Sequence, residues 1–269
     1  MEATRQFLSP TRQAEIGPFE TAERPTVGFA RDYVDGLTSG FHSHPRAQLL
    51  YAVSGVMRVQ TRHANFVVPP TTALYVPAHE EHSVSMDGAV AMRELFIEDD
   101  VAKRIGADTK VIAVSNLLRE LIVAICNEPV EWEKNGRAHH LSELAIDEIS
   151  KASPLPLALR LPEDLRMRRV VLAILSDPGD PRGLEAWCDI ANASSRTLAR
   201  LFRNETGLTF RQWRQQARLT EALRALMTGS TPTKAASIAG YSSVPAFGAA
   251  FREVFGITPA QAKAHRTVD

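Results

Sequence analysis

The C-terminal half of the chain contains an internal repeat. Residues 190–195 (IANASS) match residues 238–243 (IAGYSS), and residues 201–209 (LFRNETGLT) match residues 250–258 (AFREVFGIT). The offset between the copies is 48 residues in the first pair and 49 in the second, so the second copy has one extra residue in its turn. Each copy has the pattern of a helix, a short turn with serine, a second helix and a terminating glycine, which is the organisation of a helix-turn-helix. The repeat therefore predicts a helical region built from two helix-turn-helix units.

The second helix of the first copy has two distinct faces. Its core face comprises Leu198, Leu201 and Phe202. A different face carries Arg196, Arg200 and Arg203, at i, i+4 and i+7. Three arginines in one row suit contacts to phosphate and to guanine. On an isolated helix a solvated surface would be the simpler interpretation, but the repeated helix-turn-helix context favours nucleic acid.

The second helix of the second copy differs on its outer face. Its core stripe is Phe247, Phe251, Val254 and Phe255. Its outer face comprises Pro245, Gly248, Ala249 and Arg252. That face has almost no hydrogen-bonding side chains, so it offers little for direct recognition of bases.

A long helix is predicted between the copies, over residues 209–228. At about 1.5 Å per residue, its 20 residues span roughly 30 Å. Successive major-groove faces on one side of DNA are about 34 Å apart. The linking helix therefore has the length to place two recognition helices in adjacent turns of DNA. The other helices predicted in this half cover residues 163–176, 183–191, 195–205, 232–239 and 244–255.

Residues 165–265 resemble the DNA-binding domain of the AraC/XylS family of transcriptional regulators. The matching residues are Leu198, Phe202, Gly207, Arg218, Ala222, Ile238, Ala239, Gly240, Tyr241, Phe247, Phe251, Gly256, Thr258 and Pro259. The resemblance implies sequence-specific binding to asymmetric double-stranded promoter sites, with RNA polymerase as a further partner. The candidate DNA-binding residues are Arg196, Thr197, Ala199, Arg200, Arg203, Ser242, Ser243, Pro245, Gly248, Ala249 and Arg252.

Charge is distributed unevenly between the two halves of the 269 residues. Residues 1–159 hold 15 Lys and Arg against 21 Asp and Glu, whereas residues 160–269 hold 16 against 10. The halves therefore carry −6 and +6, and a basic C-terminal half fits an anionic partner.

Residues 26–97 are predicted to be rich in β-strands. Short apolar runs alternate there with turn residues at 54–55, 63–65, 69–70 and 87–88. Several short strands at close spacing predict a sandwich or a small barrel.

The pattern changes to helical over residues 109–128, and a further helix is predicted at about 139–150. The apolar stripe of the first helix is Val114, Leu117, Leu118, Leu121, Ile122 and Ile125, widened by Ile112, Val123 and Ala124. A stripe wider than one face needs a second partner. That partner is either the sheet together with the next helix, or a second subunit, and a homodimer is the expectation.

Three histidines and a glutamine stand out in the β-rich region. His42, His44 and Gln48 share one strand parity, so they can face the interior together. His82 opens another strand and can complete the group. Three imidazoles and an amide oxygen can bind one divalent transition metal: Zn, Ni, Fe, Mn or Cu. The alternatives are that these residues line a polar pocket for a small organic effector, or that the histidines face solvent on a loop.

The spacing of these residues resembles the two sequence motifs of cupins. Gln48 stands where that family usually has Glu, and His79 stands where it usually has Gly. Met86 replaces the usual Asn. The resemblance covers residues 25–97, and it matches the sensor domains commonly joined to AraC-type DNA-binding domains.

The whole chain is therefore predicted to be a two-domain α+β protein. Residues 1–150 form a cupin-like β-barrel with dimerisation-type helices, residues 151–162 a proline-punctuated linker, and residues 163–269 an all-α domain of two helix-turn-helix units joined by a long helix. Its expected function is that of a DNA-binding transcriptional regulator responding to a small ligand or metal ion. The alternative is a dioxygenase-like cupin metalloenzyme with an accessory DNA-binding module; the paired helix-turn-helix units favour the regulator and no enzymatic activity.

The remaining expectations concern the protein's compartment. Cys126 and Cys188 are expected to be core thiols in a reducing environment. The first 15 residues contain no apolar signal-peptide region, and the longest apolar run is interrupted by Arg119 and Glu120. These features predict a soluble, cytoplasmic protein with no membrane segment.

Overall fold

The structure is a computed structural model that describes residues 6–7, 10–155 and 157–264. The chain divides into two compact units. The first comprises residues 1–61 and 66–156, and the second comprises residues 62–65 and 157–269. The first unit is dominated by a sheet and the second by helices, so the predicted α+β class with two domains is confirmed.

The elements up to residue 155 alternate strands with a few helices. They are β1 (Gln6–Phe7), α1 (Pro10–Glu20), β2 (Thr26–Tyr33), β3 (Leu37–Thr38), β4 (Ala47–Thr61), β5 (Ala64–Val68), β6 (Thr72–Val76), β7 (His82–Ile97), α2 (Asp99–Ala102), β8 (Lys110–Ala113), α3 (Asn116–Cys126), α4 (Arg137–Lys151) and β9 (Pro154–Leu155). Strand β7 pairs antiparallel with β2 and β4, β4 also pairs with β6, and β6 pairs with β8. The two longest strands, β4 and β7, therefore hold the sheet together.

The two predicted turns at 54–55 and 87–88 are wrong. Strand β4 continues through Ser54 and Gly55, with register shifts between Ala52 and Val56 that mark a bulge. Gly55 has φ of +82°, and a Cβ there would lie 2.2 Å from the carbonyl oxygen of Ala89. The chain does not reverse because β4 and β7 pair on both sides of the bulge. Glycine is needed here because the backbones of β4 and β7 approach too closely for a side chain.

The predicted helix over 109–128 is wrong in its first part. Residues 110–113 form β8, in which Val111 and Ile112 pair with Leu74 and Ala73 of β6. Helix α3 begins only after Ser115, whose side chain accepts a hydrogen bond from the Leu118 backbone N–H at 3.0 Å. Two consecutive β-branched residues suit a buried strand, and the serine cap sets where the helix starts.

The two faces of the sheet have different roles. Leu49 and Leu95 are fully buried in one cluster with Leu118 and Ile122 of α3, so the two C-terminal helices of this unit cover that face. Since side chains alternate along a strand, Gln48 and Glu94 lie on the opposite face. That opposite face carries the polar residues of the candidate site.

Short elements lie within the segment predicted to be a linker, residues 151–162. Helix α4 extends to Lys151, β9 follows at Pro154–Leu155, and a third short element, β10, covers Ala158–Arg160. Proline suits an edge or a first strand position, so a proline-rich sequence does not exclude short strands.

Cys126 and Cys188 are both free and half-buried.

The second unit contains the predicted helices with modest shifts in their boundaries. After β10 (Ala158–Arg160) its elements are α5 (Leu165–Ser176), a 3-10 helix (Leu184–Trp187), α6 (Cys188–Ala191), α7 (Ser195–Leu201), a π-helix (Phe202–Thr206), α8 (Phe210–Met227), α9 (Pro232–Ile238), α10 (Val244–Phe255) and α11 (Pro259–Ala264). Trp187, Phe202 and Trp213 are fully buried in the core of the first helix-turn-helix. The linking helix α8 has 18 residues, so its length is about 27 Å.

The internal repeat has a structural counterpart. Asn192 and Gly240 occupy the same place in the two turns, and both have left-handed backbones, with φ of 50° and 75°. The caps of the following helices are Ser194 and Ser243, each accepting a hydrogen bond from the backbone N–H three residues on. The extra residue of the second copy therefore lies between its left-handed turn residue and its cap.

Candidate functional site

The three predicted histidines come together at the start of β4 and β7. His42 and His44 lie in the segment just before β4, and His82 is the first residue of β7. The backbones of His42 and His82 exchange two hydrogen bonds, of 2.9 and 2.8 Å. One potential ligand nitrogen of each ring lies within 4.8 Å of the other two. Backbone pairing thus brings together side chains that are 38 or more residues apart in sequence.

Each of the three rings has an oxygen atom beside its Nδ1. The Nδ1 atom of His42 lies 3.0 Å from the Gly40 carbonyl oxygen, and that of His82 lies 2.9 Å from the Glu80 carbonyl oxygen. The Nδ1 atom of His44 lies 2.5 Å from Glu20 Oε1. Since an oxygen accepts, each Nδ1 carries the proton and each Nε2 keeps a lone pair. This is the arrangement in which metal-binding histidines are commonly held.

Two of the rings are deeply buried and neutral. His44 is 4% exposed and His82 is 1% exposed. Burial lowers the pKa of each of these imidazoles to about 4, with the neighbouring His42 adding to the effect. A neutral ring cannot form an ion pair, so the contact of His44 with Glu20 is a hydrogen bond from an N–H to a carboxylate.

The second nitrogen of His82 supplies the test of whether a metal fits. His82 Nε2 is buried and has no hydrogen-bond partner among the described residues. An unsatisfied buried polar atom costs about 1–3 kcal/mol, and a bound cation would remove that cost. Three nitrogens at about 2.1 Å from one ion lie about 3.4 Å apart. The three histidine nitrogens lie within 4.8 Å of one another, so they would need to move by less than about 2 Å to bind one ion. The residues present fit a metal.

Gln48 is occupied differently from the histidines. Its side chain is 2% exposed, and its Nε2 donates a short hydrogen bond to Glu94 Oε1. Burial raises the pKa of Glu94 to about 8, and the bond from Gln48 opposes this shift. Glu94 is therefore a neutral acid at pH 7. Its hydrogen-bond partner, Gln48, is the residue that the sequence predicted as a fourth metal ligand.

Sequence reasoning missed two acidic residues of this site, Glu20 and Glu94. Glu94 could have been noticed as the one acidic residue in the apolar run AVAMRELFI. Glu20 lies in α1, 24 residues before His44, and no periodic pattern connects the two. The position of His79 also has an explanation: its φ is 64°, a conformation that favours glycine, which is the residue typical of cupins there.

The candidate DNA-binding residues of the first helix-turn-helix lie on its surface. Arg196, Arg200 and Arg203 are exposed, as is Ala199. None of the three arginines pairs with an acidic residue in the described part of the chain, so their charges are available to a partner. Thr197 is half-buried and bonds with the cap residue Ser194.

The candidate residues of the second helix-turn-helix lie along the start and outer face of α10. Ser242, Pro245, Ala249 and Arg252 are exposed, and Gly248 is half-buried. Ser243 is exposed and caps the helix through the Ala246 backbone N–H at 3.3 Å. Pro245, Gly248, Ala249 and Arg252 line a groove together with Val244 and Pro259. The outer face of this helix is therefore mainly apolar, with one arginine.

Comparison with known proteins places both units in one family. The family described as "AraC-like ligand binding domain" matches residues 26–163, and the one described as "Helix-turn-helix domain" matches residues 187–265. The HTH-type transcriptional regulator NimR of Escherichia coli (strain K12) is 33% identical over 225 residues, which cover 84% of this chain and 82% of NimR. The chain belongs to the AraC family of transcriptional regulators. It thus combines a ligand-binding domain with a DNA-binding domain.

The chain is also similar to a second transcriptional regulator and to a solved structure. The HTH-type transcriptional regulator RipA of Corynebacterium glutamicum is 32% identical over 99 residues, which cover 37% of this chain and 30% of RipA. The crystal structure of ToxT from Vibrio cholerae O395 has a TM-score of 0.40 and 12% identity, covering 91% of this chain and 99% of ToxT. Among the described residues, no helix combines the length and apolar character needed to cross a bilayer.

Proposed function

We propose that this AraC-family regulator responds to a divalent transition metal ion, held by the Nε2 atoms of His42, His44 and His82. The observation that carries the proposal is the buried Nε2 of His82, which has no hydrogen-bond partner among the described residues and which a bound cation would satisfy. Imidazole nitrogens suit Zn, Ni, Fe, Mn and Cu. Three protein ligands leave a coordination position for water or a small molecule, so a ligand could bind on the metal.

A second candidate is an organic effector that needs no metal. It is favoured by the buried pair of Gln48 and Glu94, in which a neutral carboxylic acid can donate a hydrogen bond to a small molecule. Family membership favours regulation over the dioxygenase-like alternative. A turnover assay on the metal-loaded protein separates these two functions.

Native mass spectrometry combined with elemental analysis tests the metal directly. We expect about one metal ion per chain in protein purified without chelator, or after titration. His42→Ala and His82→Ala should lose it while circular dichroism remains unchanged. His140→Ala, an exposed histidine on α4, is the matched control and should keep it. Stoichiometric metal in the double variant would reject the assignment, and no uptake by the native chain would favour the organic effector.

The two helix-turn-helix units are proposed to recognise DNA differently. Arg196 and Arg200 of α7 are exposed and unpaired, so they can make bidentate contacts to guanine O6 and N7. The outer face of α10 offers van der Waals contacts, for example to thymine methyl groups. The start of α10 at Ser243 and the charge of Arg252 suit phosphates instead. The expected promoter site is asymmetric.

A homodimer through the first unit is also proposed. The buried stripe of α3 is Leu118, Leu121, Ile122 and Ile125, whereas Leu117 is 48% exposed. Leu144 of the neighbouring helix α4 is 42% exposed. Two large exposed leucines on adjacent helices favour a second subunit as their partner. Contact with RNA polymerase stays a prediction.

A further inference from the structure

Helix α1 contributes a polar contact to the histidine cluster. Its last residue, Glu20, lies 24 positions before His44 in sequence, and its Oε1 is 2.5 Å from His44 Nδ1. The side chain of His44 is 3% exposed, and that of Glu20 is 25% exposed. This contact joins α1 to a ring that is otherwise enclosed.

Contacts of three further residues, Phe19, Glu15 and Arg46, hold α1 and the residues after it against the sheet. Phe19 packs edge-on against Phe29, with ring centroids 5.1 Å apart, and stacks near Phe96 at 6.1 Å. Phe96 in turn touches the ring of His44 at 5.5 Å. Glu15 pairs with Arg31 of β2. The buried Arg46 donates to the carbonyl oxygens of Ala22, Arg24 and Pro25, which fixes the segment that follows α1.

Glu20 differs chemically from the other two partners of the cluster. Backbone carbonyl oxygens accept from Nδ1 of His42 and His82, whereas a side chain accepts from Nδ1 of His44. A carboxylate makes the opposite nitrogen of an imidazole more basic than a carbonyl oxygen does. The carboxylate also comes from a separate element, α1, while the two carbonyl groups belong to the same segments as their rings.

We propose that Glu20 is a positioning residue that fixes His44 for metal binding, and that metal binding is thereby linked to docking of α1 on the sheet. This inference rests on the proposed metal site. If docked α1 raises metal affinity by a given factor, bound metal must favour docked α1 by the same factor, because binding linkage is reciprocal. Helix α1 would therefore report whether the metal is bound.

The first test measures metal affinity by competition with a chelating dye at fixed pH. Glu20→Gln should weaken binding by about 10–100-fold, the effect typical of removing such a partner. Glu23→Gln removes the same charge from an exposed side chain just after α1 that has no part in the contacts named above, and it should bind as the native chain does. Equal affinity of Glu20→Gln and the native chain would overturn the inference while leaving the metal site intact. No metal uptake by the native chain would instead refute the proposed function.

Two further readouts distinguish positioning from a merely structural role. Metal should slow hydrogen exchange in α1 by about the same 10–100-fold in the native chain, and have little effect on α1 in Glu20→Gln. Unchanged α1 protection in the native chain on metal addition would overturn the linkage.

In metal-free protein, ¹⁵N imidazole NMR should show His44 protonated on Nδ1, and Glu20→Ala should shift that tautomer. A His44 tautomer that does not respond to Glu20→Ala would show that Glu20 does not position the ring.

Discussion

At the scale of single residues, the environment of each histidine decides its chemistry. His44 and His82 are buried enough to stay uncharged at neutral pH, and an oxygen atom beside each Nδ1 selects the tautomer. Neutral imidazoles with free Nε2 lone pairs are the form that a metal ion needs. Protons and metal therefore compete for the same atoms.

The stability of the metal-free protein should fall as the pH is lowered from about 6.5 to about 4. In the unfolded chain the histidines have ordinary pKa values near 6.5, so they take up protons in this window. In the folded protein His44 and His82 have pKa values of about 4 and stay unprotonated, so acid favours unfolding. Each ring should lower the free energy of unfolding by on the order of 2–3 kcal/mol at the acid end. Urea unfolding at several pH values with chelator present measures this, and His82→Gln should flatten the profile. An unchanged slope in that variant would contradict the buried, neutral ring.

At the scale of elements, prediction from sequence succeeded where a pattern was local. The repeat located both turns and both caps, because left-handed residues and serine caps act within a few residues. It failed at residues 110–113 and at Ser54–Gly55, where long-range pairing with β6 and β7 decides the structure. The site follows the same rule: the three histidines were predicted, but Glu20 and the bond from Gln48 to Glu94 depend on packing that no spacing encodes.

The difference between α7 and α10 predicts an unequal division of DNA recognition. Arg200→Ala should remove about 1–3 kcal/mol of base discrimination in the half-site contacted by α7. Arg252→Ala should weaken binding to all sequences and lower the salt slope by about one unit. Arg169→Ala, an exposed arginine on α5 outside both helix-turn-helix units, is the control and should change neither. Selection from randomised DNA by the full chain measures the information in each half-site, and equal content in both halves would refute this division.

At the scale of the whole molecule, the exposed leucines of α3 and α4 predict a dimer. Leu117→Glu and Leu144→Glu should give a monomer at micromolar concentration in sedimentation, because both side chains are exposed and the fold should survive. Leu172→Glu has an equal exposure, 48%, but lies on α5 of the second unit, and should leave the dimer intact. Leu118 is 1% exposed, so its replacement by glutamate would report unfolding instead. A native chain that sediments as a monomer would exclude the dimer.

The proposed metal site of the first unit is expected to control DNA binding by the second. The measurement that tests this most directly is the affinity of the full chain for its selected DNA site, by fluorescence anisotropy at fixed salt, in metal-free and metal-loaded forms. Coupling of about 1–3 kcal/mol predicts a 5–150-fold change in affinity in the native chain. The variant with His42, His44 and His82 all replaced by alanine should show no change on adding metal, and His140→Ala should behave as the native chain. Equal DNA affinities of metal-free and metal-loaded native protein would contradict control of DNA binding by the metal.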